Sequence, residues 1–166
     1  KEKVDVTEAD MEKRLAEKPT RNLAAYDAFL KGESQLNLGL RGPNVLEALR
    51  SFEQAVALDP AFALAWARVA RAGAFLYAFG PQKTPELAQR TREAAEKAVA
   101  LAPDLADAHS ALGSYQALVL GDLRRGLDQQ NKARRMAPGN SDVLFASGAA
   151  EAGLGHWEAA VERFQE

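Results

Sequence analysis

The run Glu53 to Pro60 reads EQAVALDP, the run Glu96 to Pro103 reads EKAVALAP, and Ala133 to Pro138 closes a third stretch as ARRMAP. A motif that returns at such intervals marks a stacked array, because a unit of that size cannot bury its apolar face alone. Six residues after each of these prolines stands a large side chain: Trp66, His109 and Leu144. Proline lacks an N–H and restricts the residue before it, so each one stops a helix and the next begins beyond it. The unit is therefore a pair of helices folded back on itself.

Small residues recur where two such helices must approach closely: Gly113, Gly121, Gly126 and Ala133 in one unit, Gly148, Gly155 and Ala160 in the next. The spacing predicts helices over Asn22–Leu40, Asn44–Leu58, Phe62–Phe79, Pro85–Leu101, Asp104–Leu118, Asp122–Met136 and Asp142–Gly153, and from His156 onward. Asn44 with Glu47 reads as a capping box, Thr84–Pro85 as a helix start, and Ser141–Asp142 as another. Gly42–Pro43 reads as an extended hairpin loop. Ahead of the array, Thr7 to Lys18 reads as a short solvated helix, and Pro19–Asn22 as the connector that ends it and caps the first repeat helix. The expected division is 1–21 for that leader and 22–166 for the array, with units 22–60, 61–103, 104–138 and a truncated 139–166.

These residues resemble the tetratricopeptide repeat family. Tyr26, Ala48, Phe52, Ala55 and Pro60 match its pattern in the first unit, and Trp66, Ala70, Ala98 and Pro103 in the second. The departures are Thr91 for Ala, the extra length from Gly80 to Thr84, and His109 and Gln130 for apolar or aromatic residues. The resemblance implies an all-α fold, a right-handed superhelical array of antiparallel helix hairpins of about four units, an α-solenoid, acting as a non-catalytic protein-interaction scaffold. The stretches RLAEKPTRNLAAYDAFLKGE and LEALRSFEQAVALDPAFALAWARVA, the long second unit and DLADAHSALG look like one subgroup. It is the C-terminal repeat region of large bacterial regulatory proteins, following a TolB-like segment and an upstream nucleotide cyclase, protein kinase or winged-helix domain. That implies a piece of a longer signalling protein, a reading that fits a chain opening on Lys1 and closing on Glu166 inside a helical pattern.

Composition narrows the functions. Twenty-one basic against 23 acidic residues leave a formal net charge of -2, which gives no overall field for nucleic acid or an anionic membrane. The basic residues Arg124, Arg125, Lys132, Arg134 and Arg135 carry no interleaved stacking aromatic and read as a charged outer face. With no Cys there is no thiolate metal site or disulfide. No stretch approaches the ~20 apolar residues of a membrane span, since Arg68, Arg71 and Gly73 interrupt the longest candidate. A cytoplasmic location is expected, or a periplasmic one if a span lies upstream.

Nor does a catalytic constellation emerge. His109 stands where Trp66 and Leu144 stand in their units, so packing outweighs base catalysis, and His156 beside Trp157 reads as a cap or packing residue. No serine lies in a nucleophile-elbow context, no phosphate loop is present, and Glu93/Glu96 and Glu158/Glu162 read as solvated helix faces. We expect no enzyme, cofactor or metal in this segment.

A partner segment is expected in the concave groove lined by the first helix of each pair. If Tyr26, Trp66, His109 and Leu144 face the hairpin interior, the residues one, five and nine later face the groove. This selects Asp27, Lys31 and Gln35, then Ala67, Arg71 and Phe75, then Ser110, Ser114 and Leu118, and finally Phe145 and Ala149. Lys31 and Arg71 beside Phe75 suggest a ligand bearing a carboxylate. The two-helix clamp with which some tetratricopeptide proteins hold a terminal carboxylate is not carried over, because Asp27 and Ala67 depart from it. The alternative is an intramolecular regulatory or oligomerising domain of a cyclase or kinase, with Ala160, Val161 and Phe164 of the last helix needing cover.

Overall fold

The computed structural model describes residues 19–39, 42–81 and 83–165; the expected helix at Thr7–Lys18 lies outside them. Eight helices follow in order: α1 (Leu23–Asn37), α2 (Gly42–Leu58), α3 (Ala63–Phe79), α4 (Pro85–Leu101), α5 (Ala106–Ser114), α6 (Leu123–Met136), α7 (Ser141–Gly153) and α8 (Trp157–Gln165). A wide turn of π-helix, Tyr115–Val119, extends α5. Among the described residues there is no strand, and no helix is long and apolar enough to cross a membrane. The helices pair as α1/α2, α3/α4, α5/α6 and α7/α8, and each pair packs on the next. The fold is the all-α array of antiparallel hairpins that the repeat demands.

Each hairpin closes where a small residue on its first helix admits a larger one from its second. A Cβ on Gly32 would meet the Phe52 ring at 2.4 Å, one on Gly73 the Thr91 hydroxyl at 2.4 Å, and one on Gly148 the Phe164 ring at 2.6 Å. In the third hairpin Gly113 and Gly126 face each other, and Gln130 takes the aromatic position. Its Nε2 donates to Ser110 O at 2.9 Å and its Oε1 accepts from Ser110 Oγ at 2.8 Å. The core is built largely of alanine, with Phe29 5.6 Å from Phe52 and 5.0 Å from Phe62 as its aromatic centre. A smaller cluster of Ala106, Ala133 and Val143 joins the third unit to the fourth.

Helix starts follow local chemistry, with two corrections. Asn22 caps α1 by accepting from Ala25 N, Thr84 caps α4 from Leu87 N, and Asp122 caps α6 from Arg125 N. The fourth unit does start at Ser141, but its cap is Asn140 and not Ser141: the Asn140 Oδ1 accepts from both Asp142 N and Val143 N. Gly42–Pro43 belongs to the first turn of α2 and not to a loop. Proline is tolerated there because a first-turn N–H has no intrahelical acceptor. Asn44 therefore sits inside the helix and donates to Gly39 O, while Glu47 binds Arg50 at 2.6 Å in place of a capping box.

Candidate functional site

The first helices α3, α5 and α7 run side by side, α3 against α5 and α5 against α7. Arg68 on α3 ties them together with α1. Its Nε donates to Glu33 of α1 at 2.7 Å, its Nη1 to Asp107 of α5 at 2.6 Å, and its Nη2 stands 3.4 Å from Asp142 of α7. One turn on, Arg71 grips the same Asp142 with both terminal nitrogens, at 2.6 and 2.9 Å. Arg71 and Asp142 belong to the second and fourth units, across the third. First helices two units apart can touch only on the inside of a curve, so this side of the array is its concave face.

The electrostatics of the network follow from its geometry. Burial works against the Arg68 charge, but the adjacent Glu33 and Asp107 carboxylates more than offset it and raise its pKa above the ordinary arginine value. The Arg71 hydrogen bond holds Asp142 below the usual carboxylate range, against the opposing effect of desolvation.

Beside this network opens a cavity of about 280 Å³, near the small end of ligand pockets, which begin around ~300 Å³. Its apolar walls are Phe75 and Phe79 of α3, Leu118 of the π turn, Phe145 of α7, Leu36 of α1 and Leu123 of α6; Arg68, Arg71, Ser114 and Gln130 supply polar edges. Phe75 and Phe79 pack as a tilted pair with ring centroids 4.9 Å apart, and Phe145 leans on Phe164 of α8 at 5.8 Å. Phe79 and Phe145 are 68% and 54% exposed, so the cavity has an aromatic, solvent-facing rim.

Of the residues selected from sequence, the structure brings together Arg71, Phe75, Ser114, Leu118, Phe145 and Ala149 around this cavity. Asp27 and Lys31 lie on α1 with Gln35, and none of the three lines it. Ala67 and Ser110 are buried, Ser110 against Gln130, whereas Asp27 and Phe145 at the equivalent positions of the end units are exposed. Sequence reasoning missed Arg68, Leu36, Phe79 and Leu123. A signal for the network was present: Asp107 and Asp142 each stand two residues before the large side chain of their units.

The histidines have structural partners. His109 is buried, its Nε2 2.8 Å from Pro103 O and its Nδ1 3.0 Å from the Gln129 amide. His156 Nδ1 lies 2.7 Å from Glu151 Oε2. Among the described residues no group of three or more His, Asp or Glu side chains is placed to hold a metal ion.

No protein-family model matches the chain, and no curated protein matches it. Solved structures do. A thermophilic TPR protein of Thermus thermophilus aligns with 95% of this chain and 77% of its own at 19% identity, with a TM-score of 0.67. A crystal structure of MamA aligns with 95% of this chain and 82% of its own at 23% identity and a TM-score of 0.53. The second TPR domain of human RPAP3, determined in complex with an HSP70 peptide, aligns with 76% of this chain and 98% of its own at 16% identity and a TM-score of 0.50. With its hairpins, glycine contacts and concave first-helix face, the chain has the fold of the tetratricopeptide-repeat arrays.

Proposed function

We propose that this chain is a protein-interaction scaffold that receives a segment of a partner on its concave face, within a larger bacterial regulatory protein. The observation that carries the proposal is the aromatic-rimmed cavity of about 280 Å³, walled by side chains of α1, α3, α5 and α7. Water at exposed Phe79 and Phe145 is unfavourable, and a partner's apolar side chain covering them gains roughly 25 cal/mol per Å² of apolar surface removed. A structure of the same fold holds a peptide, which supports the same use here. The resemblance of the leader and repeats to bacterial multidomain regulators supports the wider setting, with a cyclase, kinase or winged-helix domain upstream.

The test is affinity capture from the source lysate with the chain and with a Phe79→Asp, Phe145→Asp double variant, folding being checked by circular dichroism. A partner retained by the parent and lost by the folded variant supports the groove. Equal capture by both contradicts it.

The terminal hairpin favours a second reading, an intramolecular regulatory or oligomerising domain. Trp157, Val161 and Phe164 of α8 are each more than half exposed, and they form a surface that another domain or copy would cover. Sedimentation equilibrium of the chain and of Val161→Asp separates the readings: concentration-dependent mass lost in the variant supports self-association.

A further inference from the structure

We infer that the concave cavity takes a protein segment in which an aspartate or glutamate side chain stands beside the apolar anchor, and that Arg71 holds its carboxylate. The inference rests on the groove reading above and names the chemistry of its partner. The cavity lining is apolar apart from Arg68, Arg71, Ser114 and Gln130. Two of these are turned to the chain itself: Gln130 exchanges hydrogen bonds with Ser110, and Ser114 Oγ donates to Ser110 O. Polar recognition therefore falls to the two guanidinium groups, and no carboxylate lines the cavity with them.

The two arginines differ in what they have left to offer. The Arg68 side chain is 11% exposed and is surrounded by Glu33, Asp107 and Asp142. Arg71 is 25% exposed, and among the described residues Asp142 is its one partner. Asp142 accepts from each terminal nitrogen once, so the Nε–H and the second hydrogen of each terminal nitrogen stay open. A guanidinium that serves more than one carboxylate already stands one turn away, where Arg68 donates from Nε to Glu33 and from Nη1 to Asp107. A partner carboxylate on Arg71 repeats that arrangement without displacing Asp142. A partner ammonium meets two cations on the lining and no carboxylate. Of the two cations expected from sequence, Lys31 does not line the cavity, so the contact rests on Arg71.

Three short fluorescein-labelled peptides, amidated at the C-terminus, test this. They share a phenylalanine anchor, differ only in glutamate, glutamine or lysine beside it, and are titrated against the whole chain by fluorescence anisotropy. The glutamate peptide is expected to bind about tenfold more tightly than the glutamine peptide, and the lysine peptide least tightly. The chain's formal net charge of -2 acts in the other direction, so bulk charge does not produce this order. Phe79→Ser, at an exposed wall, should weaken all three peptides about tenfold. Arg71→Gln, its folding checked by circular dichroism, should bring the glutamate and glutamine peptides together, whereas Asp142→Asn, which removes the competing carboxylate, should widen the gap between them. Glutamate binding no tighter than glutamine, yet still weakened by Phe79→Ser, overturns the carboxylate inference and leaves the groove reading standing. A glutamate preference that survives in folded Arg71→Gln, or that fails to widen in Asp142→Asn, also overturns it. Binding indifferent to Phe79→Ser, or no binding of any peptide, overturns the inference and the groove reading together.

Discussion

At the residue scale, the polar departures from the repeat pattern are substitutions of one hydrogen-bonding arrangement for another. Trp66 Nε1 donates to Pro60 O at 2.9 Å, six residues back. His109 Nε2 makes the same contact with Pro103 O at 2.8 Å, also six residues back. The imidazole thus takes over the role of the indole N–H, and its Nδ1 lies 3.0 Å from Gln129 Oε1 on the facing helix. His109→Leu should lower stability by about 1–2 kcal/mol in urea denaturation, since it strands a carbonyl and an amide. Thr91 and Gln130 fit for the same reason: Thr91 Oγ1 donates to Leu87 O and Gln130 clasps Ser110. Sequence identified these residues as departures but not their remedies, because the partners of His109 and Gln130 on the facing helix are set only by how the hairpin closes. Ser147 has no such remedy. It is fully buried, and among the described residues its hydroxyl has no hydrogen-bond partner. Ser147→Ala should raise stability by about 1 kcal/mol in the same measurement.

At the scale of the element, periodicity and the closing prolines locate all eight described helices, and the differences lie at ends where local chemistry offers rival solutions. Pro43 reads as a loop residue yet suits a first turn, and Asn140 outcompetes Ser141 as a cap because its side chain reaches two N–H groups. The π turn at Tyr115–Val119 leaves no mark in the apolar pattern, since it changes which carbonyl is bonded and not which residues are apolar; Leu120 N donates to Tyr115 O at 3.2 Å. Hairpin closure depends on the glycine contacts. Gly148→Val should cost about 1–3 kcal/mol by driving side-chain atoms into the Phe164 ring. The loss should appear as a lower urea midpoint together with faster amide exchange in α8, the element it displaces.

At the scale of the whole molecule, the array's curvature is held by ion pairs between residues far apart in the chain. Arg71 and Asp142 are separated by 71 residues, Arg68 and Asp107 by 39. The hairpin repeat is a local pattern and was legible, whereas the concave network depends on how units stack and was not. Arg71, Phe75, Ser114, Leu118 and Phe145 line the cavity, but Arg68, which lines it with them, is held by Glu33 and Asp107 through pairings that no single repeat unit displays. Arg68→Ala should destabilise the array by about 3 kcal/mol, because it leaves Asp107 and Glu33 without their buried partner. Small-angle scattering should report a larger radius of gyration for that variant.

The pH dependence has a definite sign. Asp142 has a lower pKa folded than unfolded, so its contribution is present above the ordinary aspartate value of about 4 and fades as pH falls through the folded value. The stability difference between the parent chain and Asp142→Asn should therefore shrink on acidification below about pH 4.

The central claim is that a partner lies on the concave face, and site-directed photo-crosslinking tests it most directly. Benzoylphenylalanine is placed at Phe145 on the cavity rim, at Phe164 on α8 or at Arg92 on α4, and each chain is irradiated in its source cells. Cross-links to a common partner from position 145 and none from 92 or 164 are the predicted result. Cross-links from 164 or 92 without any from 145 would contradict it.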